Sequence, residues 1–206
     1  MERVAKILEE DPHPRLGVVL SACRGVTDAL LNLVAAAEAQ EPDLEVRIDQ
    51  VRQRHQLIAD TLLSGDARTR FLETLERDCR DIYGILQTVR LIRSASQTIR
   101  DLIAGYGEIW STRLFSAYLR ARGRRPGKVE WIDARDILTV QWGPLGPAVQ
   151  WDIARENIAK VVPRDTIATL IITGFIARDQ QGLQTTLGRN GSDFSAAIFG
   201  SLLDAK

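Results

Sequence analysis

The sequence predicts an α/β domain, a mostly parallel sheet interrupted by a long helical segment, on three observations. A short apolar run, Leu16-Gly17-Val18-Val19-Leu20, leads through small and hydroxyl residues into a helical pattern. A second run, Ile167-Ala168-Thr169-Leu170-Ile171-Ile172, does the same through a glycine-bearing loop. Runs this short, the second rich in β-branched residues, read as buried strands rather than globular helices. Between them, residues 43–93 carry apolar side chains at three-to-four spacing among many charges, the mark of helices with a solvated face. Strands that alternate with helices pair in parallel.

In order, residues 1–10 read as an amphipathic helix without a cap, followed by the turn Asp11-Pro12-His13-Pro14 and the strand 16–20. Ser21-Ala22-Cys23-Arg24-Gly25-Val26-Thr27-Asp28 then opens a helix over 29–40, with Thr27 or Asp28 at its N-cap. Residues 43–93 give two or three helices broken near Ser64-Gly65-Asp66. A further helix over 94–104 reaches Gly105-Tyr106-Gly107-Glu108, where two glycines are expected to open the backbone, and helix resumes over 109–122. Residues 129–132 and 137–140 are strand candidates, 141–150 a loop or hairpin, and 152–160 a short helix. After the strand at 167, a turn over 178–182 leads to Thr185-Thr186-Leu187 and then to Gly188-Arg189-Asn190-Gly191-Ser192-Asp193. From Ser192 the pattern is helical, with Phe194, Ala197, Ile198, Leu202 and Ala205 on one face and Ser192 or Asp193 as cap.

Composition excludes several functions. The 206 residues can bury a core, and one domain is the natural expectation. Lysine plus arginine, 27, balances aspartate plus glutamate, 27, so no net field advertises a nucleic-acid or membrane partner. No apolar stretch reaches bilayer length, and no apolar leader opens the chain. Cys23 and Cys79 form neither a metal cluster nor a disulfide framework. His13 and His55 have no partner pattern, and His55, in a charged helical stretch, is expected to be solvated. Cys23, beside Arg24 at a loop tip, reads as a small pocket-lining residue rather than a redox thiol. The four tryptophans read as core or rim packing. Together these features describe a soluble cytoplasmic protein that holds no structural metal.

Three places offer chemistry. A strand, a glycine-bearing loop and a helix N-terminus present free backbone N–H groups to an anion, and Arg189 adds a planar fork for a carboxylate or phosphate. The same pattern also fits an ordinary loop with a capped helix. Ser21 to Asp28 forms a second such joint, and Glu108 sits beside two glycines, where a glutamate commonly just complements a helix dipole.

Taken together, Val18-Val19-Leu20-Ser21 with Gly25-Val26-Thr27-Asp28, then Gly107-Glu108, then Thr173-Gly174-Phe175-Ile176 with Thr185-Thr186-Leu187-Gly188-Arg189-Asn190-Gly191-Ser192-Asp193 resemble the aspartate kinases over nearly the whole chain. Gly105-Tyr106-Gly107-Glu108-Ile109-Trp110-Ser111 and Trp131-Ile132-Asp133-Ala134-Arg135-Asp136 most resemble the kinase part of the bifunctional aspartokinase/homoserine dehydrogenases. The resemblance implies a three-layer αβα amino-acid-kinase fold, with residues 1–206 as its N-terminal, amino-acid-binding part. It implies transfer of the γ-phosphoryl group of ATP, with Mg2+, to the side-chain carboxylate of L-aspartate, the first step of lysine, threonine and methionine biosynthesis. It also implies a homo-oligomer in the full-length protein. By position, Ser21 and Thr27 would line the aspartate pocket and Glu108 would accept from the substrate ammonium. Arg189 would clamp a carboxylate, supported by Ser192 and the N–H groups near Gly191. Asp193 would order the site, and Phe175 would wall it.

The family also opens with a strand ending in a lysine and a Gly-Gly-Thr-Ser turn. Here the lysines are Lys6, Lys128, Lys160 and Lys206, and none follows a strand and precedes such a turn. The family continues past the last helix into its nucleotide-binding strands. The expectation is therefore an incomplete kinase domain: an aspartate half-site with weak or absent turnover of its own. The alternatives are a non-catalytic aspartate-binding or assembly fragment, or another amino-acid kinase of the same fold.

Overall fold

The structure, a computed structural model, describes residues 1–163 and 167–205. Its contacts divide the chain into two compact units, one of Met1–Ser21 with Ser111–Lys206 and one of Ala22–Trp110.

The first unit is built on a parallel sheet of β1 (Leu16–Leu20), β2 (Lys128–Ile132) and β5 (Ala168–Thr173), in the order β1-β5-β2. Every residue of the central strand β5 is buried, which explains a continuous apolar run in place of an alternating one. The register places Val18, Ile171 and Trp131 on one face and Gly17, Leu170 and Glu130 on the other. On the first face lies the C-terminal part of α5 (Gln97–Arg122): the Trp131 indole N–H donates to Thr112 Oγ1 at 2.9 Å, and the Arg113 guanidinium sits 4.7 Å above the same ring. On the second face α8 (Gly191–Leu202) packs against β1. A Cβ added at Gly17 would lie 3.2 Å from Leu203 Cδ1, so the glycine admits the helix end. Helix, sheet and helix form the expected three layers.

At the edge of this unit α1 (Glu2–Glu10) is held by Arg122, which forks onto the Glu9 carboxylate. The buried Arg125 donates to the carbonyls of Leu8 and Asp11 at 2.8 and 2.7 Å and to Thr169 Oγ1 at 3.0 Å. The region after β2 departs from expectation. The strand expected over 137–140 does not form as such: Ile137 ends α6 (Ala134–Ile137), one helical turn capped by the Asp133 side chain on Arg135 N–H, and only Val140 belongs to a strand. Ile137 and Leu138 point into the core at a bend, so their apolarity signals burial without strand geometry. The glycine-proline segment forms a hairpin, β3 (Val140–Gly143) with β4 (Gly146–Val149), followed by α7 (Trp151–Val161). A second hairpin pairs β6 (Ile176–Arg178) with β7 (Gln184–Thr186).

The second unit is helical: α2 (Val26–Glu38), α3 (Leu44–Leu62), α4 (Gly65–Ile92) and the first half of α5. The chain breaks at Ser64, extended, and Gly65, at φ +52°, where the sequence placed the break. Three expectations are corrected here. Neither Thr27 nor Asp28 caps α2, because the helix begins at Val26 behind Gly25 in the left-handed conformation at φ +74°. The backbone does not open at Gly105 and Gly107, since α5 runs unbroken through both. His55 is not solvated but fully buried: its Nδ1–H donates to Val51 O at 2.9 Å, and its ring meets Trp110 edge-on with centroids 4.9 Å apart. A charged neighbourhood in sequence hid a residue on the inner face of α3. Of the tryptophans, Trp110 is core, while Trp142 and Trp151 are partly exposed.

Candidate active site

In the first unit the carboxyl ends of the three parallel strands meet, which is where open α/β sheets bind ligands. Gly174 N–H donates to Leu20 O at 2.9 Å, and Thr173 Oγ1 accepts from Ala134 N–H at 2.7 Å. Ser21 ends β1 with an exposed side chain, and its carbonyl accepts from Ser111 Oγ at 2.7 Å.

Phe175 leaves β5 with φ at +67°, a conformation unfavourable for a side chain of this size. It is held there from both sides. Its N–H donates to Ser195 Oγ at 2.9 Å, and its carbonyl accepts from Leu187 N–H at 2.7 Å. Ser195 in turn donates to Gly191 O at 2.9 Å. The helix N-terminus seats directly on this bend because two glycines leave room. A Cβ at Gly174 would lie 2.7 Å from Ser192 Oγ, and one at Gly191 would lie 2.7 Å from Phe175 Cδ2.

Before α8 the chain makes a tight turn, with Gly188 at φ +76° and Asn190 at φ +57°, closed by Gly191 N–H on Gly188 O at 3.0 Å. Arg189 occupies the exposed tip, and among the described residues it has no ion-pair or hydrogen-bond partner. Ser192 is half-buried, and Asp193 is exposed in the first helical turn. The expected cap is corrected: the N-cap position is Asn190, and no side chain caps the helix. The buried face is also reset, to Gly191, Ser195, Ile198 and Phe199, leaving Phe194 and Ala197 exposed. An uncapped N-terminus beside an unpaired guanidinium is suited to an anionic group.

In the second unit Glu108 is 3% exposed, and its Oε1 accepts from Ala22 N–H at 3.3 Å. Burial pushes this carboxyl up to about 7, against the smaller downward pull of the Ala22 N–H. The neighbouring glycine has a packing reason. A Cβ at Gly107 would lie 2.8 Å from the Ala22 Cβ and 3.3 Å from Val26 Cγ1, so only glycine lets α5 approach the start of α2. Thr27 is half-buried in the first turn of α2. Cys23 behaves as a packed thiol, raised by burial against the opposing effect of Arg54.

Ser21, Phe175, Arg189, Gly191, Ser192 and Asp193 thus gather at the strand ends of the first unit, and Thr27 and Glu108 lie near Ala22 in the second. Sequence reasoning missed the Ala22 N–H, Gly174 and Ser195. The serine had a readable signal, standing four residues after Gly191, the spacing at which a hydroxyl bonds back to a helical carbonyl. Among the described residues no three His, Cys, Asp or Glu side chains converge to hold a metal ion, and no helix is long and apolar enough to cross a membrane.

Comparison with known proteins bears on the family and the fold. A sequence model of the amino acid kinase family matches residues 1–206. The chain is 36% identical over 208 residues to a chloroplastic bifunctional aspartokinase/homoserine dehydrogenase of Daucus carota, covering all of this chain and 22% of that protein. It is 32% identical over 208 residues to the lysine-sensitive aspartokinase 3 of Escherichia coli K12, covering 43% of it. Among solved structures it is similar to E. coli aspartokinase III in complex with aspartate and ADP, with a TM-score of 0.82 and 29% identity over 99% of this chain and 43% of that one. The chain therefore spans about a fifth to two fifths of the length of these relatives. With the family model matched from end to end and the fold reproduced, the chain belongs to the amino acid kinase family.

Proposed function

We propose that this chain is the amino-acid-binding part of an aspartate kinase, which transfers a phosphoryl group from ATP to the side-chain carboxylate of L-aspartate. The observation that carries the reading is Glu108, a carboxylate whose burial makes it costly to ionise. An ammonium ligand is the natural group to offset that cost, and L-aspartate has one. Its two carboxylates need cationic or N–H partners, and the Gly188–Arg189–Asn190 turn with the uncapped α8 N-terminus supplies both kinds. In this reading Ser21 and Thr27 contact the amino acid, Phe175 walls it, Ser192 and the N–H groups near Gly191 support the carboxylate, and Asp193 orders the loop.

The acceptor carboxylate is already ionised at neutral pH, so no general base is required. Catalysis then comes from positioning and charge stabilisation. Removing one clamp should cost on the order of a few kcal/mol of transition-state stabilisation. The same reading includes Mg2+ as the nucleotide's counter-ion, lysine, threonine and methionine biosynthesis as the context, and a homo-oligomeric full-length protein. Mg2+ commonly uses only one or two carboxylates and the phosphates themselves. The described residues fit the acceptor rather than the ion, so no step is assigned to a metal.

Calorimetric titration of the chain with L-aspartate, beside Arg189→Ala and Glu108→Gln, tests the reading. Binding by the unmutated chain and its loss in both variants is expected. No binding by the folded, unmutated chain would overturn it. Because no described lysine stands after a strand and before a glycine turn, the chain by itself is expected to bind aspartate without appreciable turnover.

A further inference from the structure

The Gly188–Arg189–Asn190 turn has a support that none of the aspartate-kinase motifs contains. Trp142 lies in β3, 46 positions before the glycine in sequence and on a different hairpin. Its indole N–H donates to Thr185 Oγ1 at 2.8 Å, and Thr185 is a buried residue of β7. The far edge of the ring then lies beside the turn: a Cβ built at Gly188 would stand 3.9 Å from Trp142 Cη2, with no other heavy atom of the described residues, outside the neighbouring ones, within 4 Å. The ring is therefore tied to β7 at one edge and stands next to the first residue of the turn at the other. The base of the β3–β4 hairpin is fixed as well, because Arg178 N–H donates to Leu138 O at 2.9 Å and Thr139 bridges to Arg178.

Half of Trp142 is exposed. A tryptophan placed only for packing would bury more of its ring, whereas here the polar edge is spent on a strand hydroxyl and the far edge stands beside a glycine at φ +76°. On the opposite side the turn has a single closing bond, from Gly191 N–H to Gly188 O. Arg189 itself has no partner among the described residues, so its direction depends on how well the turn is held.

We infer that Trp142 is a positioning residue: its indole, anchored on Thr185, holds the Gly188 turn so that the Arg189 guanidinium is presented to a carboxylate. This rests on the proposed role of Arg189 in aspartate binding, and two readouts separate the two ideas. Hydrogen exchange at the Gly191 amide of the unliganded chain reports the turn itself, with no ligand involved. Trp142→Phe keeps an aromatic side chain but removes both the donor and the far edge of the indole; Thr185→Val removes the acceptor alone, and Thr185→Ser restores a hydroxyl. Exchange at the Gly191 amide, the one that closes the turn on Gly188 O, should quicken about threefold to tenfold in Trp142→Phe and Thr185→Val, the range of one lost hydrogen bond, and recover in Thr185→Ser. Aspartate affinity by calorimetry should fall by the same factor in the same two variants.

Unchanged exchange in Trp142→Phe would overturn the inference, whatever the affinity does. Faster exchange with undiminished aspartate affinity would also overturn it, because the turn would then be held for no ligand. If the unmutated chain binds no aspartate, the kinase reading falls. In that case inorganic phosphate serves as the anion probe, and failure of Trp142→Phe to weaken phosphate binding overturns the inference.

Discussion

Glu108 is costly to keep ionised where it is, and the sign of that cost can be worked out. Its carboxyl is raised from 4.5 to about 7, chiefly by burial. Between those values the folded chain holds a proton that the unfolded chain releases, so stability is greatest below the lower value and declines as pH rises toward 7. The decline amounts to about 3 kcal/mol. Glu108→Gln should abolish it: chemical denaturation at pH 8 should show a variant more stable than the unmutated chain, and at pH 4.5 the two should agree. A variant less stable at pH 8 would mean that hydrogen bonds to the carboxylate outweigh its desolvation. Aspartate affinity should climb as pH rises to about 7 in the unmutated chain, since an ammonium ligand needs the anion. Beside it, Gly107→Ala would force a Cβ to 2.8 Å from that of Ala22. Overpacking of this kind costs about 1–3 kcal/mol, and the shift should weaken the Ala22–Glu108 bond and lower aspartate affinity with it.

At the scale of elements, the seat of α8 depends on Ser195, a buried hydroxyl that accepts from Phe175 N–H and donates to Gly191 O. Ser195→Ala leaves the Phe175 N–H without its acceptor at a residue already in the left-handed region, and should cost about 1–3 kcal/mol in urea denaturation. Ser195→Cys, with a poorer acceptor, should fall between the two, and a loss below 0.5 kcal/mol or so would show that water replaces the hydroxyl at that site. Elements were legible in the sequence where one local signal settled them. The strand over 16–20 and the helix break at Gly65 matched because apolar runs and glycine act through neighbouring residues. Elements were illegible where a distant contact decided. Gly105 and Gly107 looked like breakers, yet α5 runs through them because the space beside Gly107 belongs to Ala22, 85 positions away. Ile137 looked like a strand residue because burial, not strand pairing, selected it. The motif positions Gly188 to Asp193 were readable as a group, and Ser195 only in its spacing from Gly191; Trp142 was not, since no spacing rule links it to Arg189.

At the scale of the whole molecule, the chain gives a parallel α/β unit and a helical unit, and the boundary at Trp110 and Ser111 falls within α5, where no change of pattern marks it. Two of the buried titratable groups of the helical unit make opposite demands. Glu108 penalises ionisation and so favours low pH. His55 is held neutral, its imidazole lowered chiefly by burial, and its Nε2 has no partner among the described residues. A histidine with a depressed folded pKa contributes stability above its unfolded value of 6.5 and loses it as pH falls, because only the unfolded chain then takes up the proton. Between pH 6.5 and 4.5 the two groups therefore pull against each other, and their contributions partly cancel in the unmutated chain. His55→Leu removes one side of that balance. Unfolding followed by the fluorescence of the buried Trp110 should show a His55→Leu variant that gains stability relative to the unmutated chain as pH falls below 6.5. Adding Glu108→Gln should flatten the remaining slope. A His55→Leu profile that simply parallels the unmutated one down to pH 4.5 would mean that the imidazole takes up its proton within the folded unit, and the opposition between the two groups would not exist.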